Sequence, residues 1–161
     1  MDFAGPSLDT GFRAFRLDRS NFKVWNRILE GTPEERAAQV AQQLKLHVDH
    51  VLPEATPESM LYELLLRYDF PLSSAVQVLE MAGHTVFAVE SDPDNDFYGL
   101  LMCLDATINQ AIIDTLVEKA ATYTILLDKA FQNDDQLKTN TVFNFRSHAE
   151  RLDRPVEFWT V

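Results

Sequence analysis

Apolar residues recur along this chain in two rhythms, and the change between them divides it. Ala37, Val40, Ala41, Leu44 and Val48 are spaced as one face of a helix. Thr32-Pro33-Glu34-Glu35 opens that helix: Thr32 caps it, Pro33 suits its first turn and Glu35 completes a capping box. Pro53 closes it, and Thr56-Pro57-Glu58 opens a second helix by the same logic. The second body, Met60 to Tyr68, is apolar on more than one side through Leu61, Leu64, Leu65 and Leu66, so its own domain or a partner chain must cover it broadly. Phe70-Pro71-Leu72 ends it, and residues 74–81 read as a further short helix. Upstream, residues 12–17 are rich in Phe and Arg and read as a short strand. A turn is expected from Asp18 to Asn21, followed by the large apolar anchors Phe22 and Trp25.

After Gly83 the rhythm shortens. Thr85 to Glu90 reads as a strand, the acidic cluster around Pro93 as a turn, and Tyr98 to Leu104 as a central apolar strand, so the short connection predicts an antiparallel hairpin. Asp105 is placed to cap the next helix, whose stripe is Ile108, Ala111, Ile112, Leu116 and Ala120. Tyr123 to Leu127 is another buried strand, and a strand–helix–strand unit predicts parallel pairing. The helix after Asp134 is expected to bury Leu137, Val142, Phe145 and Ala149, before a last strand from Val156 to Thr160. The expected fold is α/β, with α+β as the neighbouring class: a small mixed sheet in the order β-α-α-β-β-α-β-α-β with helices packed on it. It forms one domain over 1–161, with an N-terminal strand and aromatic arm at 11–30, a helical part at 32–81 and a β-β-α-β-α-β part at 84–161.

Composition sharpens this. At 161 residues and 46% hydrophobic, the chain can bury one proper core. No apolar run approaches the roughly 18 residues that cross a membrane, and Met1 to Thr10 lacks the basic start and apolar centre of a secretory signal. The lone Cys103 reads as a small buried hydrophobe, and the expected setting is the cytoplasm. The net charge of −11, from 25 acids against 14 bases, argues against direct duplex binding, which rests on cations meeting phosphates.

Candidate chemistry is sparse. His47 and His50 lie three apart, but no Cys pair or HExxH pattern completes a metal site. Asp105 and Asp128 both follow strands; if those strands are neighbours, their carboxylates and Lys138 would suit a divalent cation and a phosphate. No serine sits in a G-x-S-x-G turn, and no glycine-rich phosphate loop exists. The residues alone name no catalytic, cofactor-binding or metal-binding group.

Four strings carry more. GFRAFRLDRSNFKVW from Gly11 to Trp25, QLKLHVDH from Gln43 to His50, LYELLL from Leu61 to Leu66 with Phe70-Pro71-Leu72, and DQLKTN from Asp135 to Asn140 resemble, in order and spacing, the C-terminal region of one family. It is the modification subunit of type III restriction-modification systems, the site-specific adenine-N6 DNA methyltransferases. The motif residues are Asp18, Ser20, Asn21, Lys23, Asp128, Asp135, Lys138, Thr139 and Asn140. That family holds the flipped base with a D-P-P-Y loop and S-adenosylmethionine with an F-x-G-x-G loop. This chain has neither: Ser91-Asp92-Pro93-Asp94 lacks the second proline and the aromatic. The resemblance therefore implies a non-catalytic assembly module. It implies no cofactor in this chain, with S-adenosylmethionine expected only for the full-length member. The implied partners are a second modification subunit and the restriction helicase-nuclease subunit, without direct DNA contact and without a membrane. Phe22, Trp25, Leu61, Leu65 and Leu66 are the interface candidates. The competing readings are a small Mg²⁺-dependent enzyme using Asp105, Asp128 and Lys138, and an acidic mimic of DNA.

Overall fold

Ala82 and Gly83, both at positive φ (50° and 81°), form a two-residue turn that folds the chain back on itself. They join β1 (Val76–Met81) to β2 (His84–Asp92) in an antiparallel hairpin with Met81 opposite His84. The computed structural model describes residues 14–25, 30–46, 50–95 and 97–161. Residues 74–81 are therefore not a helix. The β-branched Val76 and Val78 and the pairing partner supplied by β2 outweigh a short helical pattern. Residues 14–17 are irregular, and the rest of the expected N-terminal strand lies outside the described residues.

Two helices precede the sheet, α1 (Pro33–Leu46) and α2 (Pro57–Arg67). Both starts are capped, α1 by reciprocal bonds between Thr32 and Glu35 and α2 by a Thr56–Ser59 box. After β2 come β3 (Phe97–Cys103), α3 (Gln110–Lys119), β4 (Tyr123–Leu126), α4 (Asp135–Leu152) and β5 (Glu157–Thr160). The five strands lie in sequence order, antiparallel from β1 to β3 and parallel from β3 to β5. This is the mixed α/β sheet expected, with the hairpin and the parallel unit in place.

The sheet is buried on both faces. One face packs Val89, Leu100, Met102 and Ile125 against Met60, Leu61, Leu64 and Leu65 of α2. The other packs Val86, Leu101, Cys103 and Leu126 against Ile112, Ile113 and Leu116 of α3 and Phe145 of α4. Burial of each such side chain contributes roughly 1.5–3 kcal/mol. The apolar surface of α2 is thus covered by its own domain at Leu61, Leu64 and Leu65, while Leu66 stays exposed. Tyr68 and Tyr123 stack on Trp159 at 4.3 and 4.9 Å between ring centroids, which ties the end of α2 to the β5 edge.

Two helix details differ from expectation. Asp105 does not cap α3; Asn109 does, accepting the Ile112 amide at 3.0 Å, because residues 105–109 form a connector before the helix begins. Val142 of α4 is exposed, and Thr141 is buried instead. Leu137, Thr141 and Phe145 repeat at i, i+4 toward the sheet, and Val142 sits about 100° around the helix from Thr141. At Gly99 a Cβ would come within 2.8 Å of the Glu90 carbonyl, where Glu90 takes a left-handed φ of 49°. Among the described residues, no helix is long and apolar enough to cross a membrane.

Candidate functional site

The segment 14–25 has no helix or strand of its own, and an acid holds it to α2. Ser20 Oγ donates to Glu63 Oε1 at 2.5 Å, while the Asn21 amide and side-chain Nδ2 donate to Oε2 at 2.6 and 2.8 Å. Ser59 Oγ donates to Asn21 Oδ1 at 2.6 Å, joining the segment to the cap of α2. Backbone bonds from Leu52 to Asn21 and from Lys23 to His50 then bridge Phe22 to Val51. Phe22 enters the core, with the Arg67 guanidinium 5.0 Å from its ring centre. Burial pushes the Glu63 carboxyl up, but the hydrogen bonds from Ser20 and Asn21 and the Arg67 charge outweigh it and hold the group below its ordinary value. A groove of about 760 Å³ runs along this junction, lined by Phe15, Asp18, Ser20, Tyr62, Glu63 and Leu66 among others. Glu63 is occupied by structural donors, so it is a staple and not a free base.

A second polar cluster lies beyond the ends of β3 and β4. Asp128 pairs with Lys138 of α4. Asp105 instead meets His84, with Nδ1 at 2.8 Å from Oδ2. The other ring nitrogen, Nε2, lies 3.1 Å from Asn109 Nδ2. Because Asn109 Oδ1 accepts the Ile112 amide, its NH₂ must face the ring. Nε2 therefore accepts, and the ring proton sits on Nδ1, donated to Asp105. Cys103 lies beneath, fully buried. Burial pushes its thiol up to about 11, with the Asp105 charge adding to the rise and a backbone hydrogen bond from Asp105 opposing it. One ligand atom from each of His84, Cys103 and Asp105 lies within 4.8 Å of the others.

No protein-family model matches the chain, and no curated protein matches it.

The structure sorts the sequence candidates. Phe22, Leu61 and Leu65 are interior, at 5%, 3% and 0% exposed, so they are not available as an interface; Trp25 and Leu66 are exposed. The physical reason is that the sheet supplies the cover the second helix needs. Ser20 and Asn21 meet on Glu63, while Asp18 and Lys23 flank them. Asp128 and Lys138 pair, and Asp135, Thr139 and Asn140 lie exposed on the first turns of α4. Asp105 and Asp128 are each engaged by a different group, although their strands are neighbours. His47 lies outside the described residues, and His50 stacks on Phe22. Sequence reasoning passed over Glu63 and His84. Glu63 had a signal, since an acid within an apolar helical run must find donors. His84 had none until the hairpin register was known.

Proposed function

We propose that this chain is a non-catalytic assembly module that self-associates through α1. The supporting observation is the uncovered stripe of that helix. Val40 and Leu44 are 38% and 58% exposed, and none of the described side chains of α1 belongs to either core. An isolated helix of 14 residues is marginal in water, since helices below about 12–15 residues gain most of their stability from packing. Ala37, Val40, Ala41 and Leu44 alternate small and large residues at helical spacing, a pattern that interdigitates with a second copy of itself. Glu34 flanks the stripe on one side and Arg36 and Gln43 on the other, so its borders carry no single sign of charge against a second copy. The occupant is therefore a second copy of this chain. On the strength of the motif strings, we assign the module to the C-terminal end of a type III adenine-N6 modification subunit. Its catalytic loops would belong to upstream sequence, and its restriction partner would bind elsewhere on the assembly.

Light scattering on the full chain tests the first part. A dimer that Leu44→Glu dissociates, with unchanged far-ultraviolet circular dichroism, supports it; a wild-type monomer at high concentration overturns it. Calorimetry with S-adenosylmethionine tests the absence of catalysis, and a binding isotherm would refute it. The family assignment stands or falls on the reading frame before Met1. A D-P-P-Y loop encoded there supports it, and an unrelated reading frame removes it.

A further inference from the structure

We propose that His84, Cys103 and Asp105 form a binding site for a borderline-soft divalent cation of the Zn²⁺ class. The placement follows from sheet register. Val86 pairs with Cys103 at the end of β3, and just beyond it His84 Nδ1 meets Asp105 Oδ2 at 2.8 Å. Val86 and Cys103 face the α3–α4 core, period-two alternation along β2 turns His84 to that same side, and Asp105 reaches it from the connector after β3. Three ligand atoms of different kinds, sulfur, nitrogen and oxygen, thereby converge within 4.8 Å. A mixed thiolate, imidazole and carboxylate set favours Zn²⁺ or Co²⁺ over Mg²⁺ or Ca²⁺, which prefer all-oxygen shells. Three protein ligands leave the fourth tetrahedral position to water. Cys103 and His84 are shielded, while the Asp105 side chain, 39% exposed, gives the ion its entry.

The Cys103 thiol releases its proton to solvent and the sulfur binds the ion. The His84 ring stays neutral: its proton leaves Nδ1, which becomes the ligand, and a proton is held on Nε2. That proton then faces the NH₂ of Asn109, 3.1 Å away, while Asn109 Oδ1 is already held by the Ile112 amide. With its oxygen on the Ile112 amide, Asn109 turns a second donor toward Nε2–H, whereas an aspartate puts an acceptor at both positions. Asn109→Asp should therefore tighten metal binding, because one oxygen keeps the cap and the other accepts from Nε2–H, as carboxylates do behind metal-bound histidines.

The site is independent of the assembly reading. The test is titration of the full chain with Co²⁺, followed by visible absorption. One equivalent is expected to give the intense bands of a tetrahedral ion and a sulfur-to-cobalt charge-transfer band, both removed by Zn²⁺. Cys103→Ala should abolish the charge-transfer band. Asn109→Asp should raise the affinity by about 10-fold or more, the scale of outer-shell effects on metal sites. This gain cannot arise from misfolding. No stoichiometric cobalt spectrum, a charge-transfer band that survives Cys103→Ala, or an Asn109→Asp variant that binds no tighter would each overturn the proposal.

Discussion

Glu63 offers the most direct test of how the N-terminal segment is held. Glu63→Ala removes the acceptor for Ser20 Oγ, Asn21 N and Asn21 Nδ2 together. Hydrogen bonds to a charged group contribute about 1.5–3 kcal/mol each, but these act as a unit. The side chain is 21% exposed, so water reaches some of the stranded donors, and the expected total is about 3 kcal/mol. At about 2–4 °C per kcal/mol for a domain of this size, the melting midpoint falls by about 6–12 °C. Glu63→Gln is milder, about 1 kcal/mol, because its carbonyl keeps the Asn21 donors and the Ser20 hydroxyl turns to accept. The pH dependence has a definite sign. The carboxyl is held below its ordinary value in the folded chain, so its stabilisation is full above the ordinary Glu range. It is lost as pH falls through the lowered folded value, and Glu63→Gln removes that step. Thermal melts by circular dichroism, with hydrogen exchange at the Lys23 and Leu52 amides, read both effects. If Glu63→Ala melts with the parent and those amides stay protected, burial of Phe22 alone anchors the segment and the reasoning is refuted.

Three further outcomes are expected. Thr124 is fully buried and its hydroxyl has no partner among the described residues, so Thr124→Val should stabilise the chain by about 1 kcal/mol in urea unfolding. Leu65→Ala should cost about 2–5 kcal/mol by the same measurement, while the neighbouring Leu66→Ala, at a side chain 52% exposed, should cost under about 1 kcal/mol; equal losses would misplace the buried face of α2. Gly99→Ala should cost about 1–3 kcal/mol, because its Cβ meets the Glu90 carbonyl at 2.8 Å, and a neutral result would show that the strand relaxes there.

The sequence by itself determined what depends on local chemistry. The Thr32–Glu35 and Thr56–Pro57 starts, the β2–β3 hairpin and the strand–helix–strand unit were legible because caps, turns and apolar periods act over a few residues. The 46% apolar content is enough to bury a proper core, and the structure divides it into two clusters, one on each sheet face. Tertiary structure alone decided whether residues 74–81 became strand or helix, because β2 had to be present to pair with them. It also decided which apolar faces were covered. α2 gained the sheet, while Val40 and Leu44 of α1 stayed exposed, although both helices carry apolar stripes. The meeting of His84 with Cys103 and Asp105, and of Glu63 with Ser20 and Asn21, joins residues from 19 to 43 positions apart, and only strand register and helix docking bring such distant groups together.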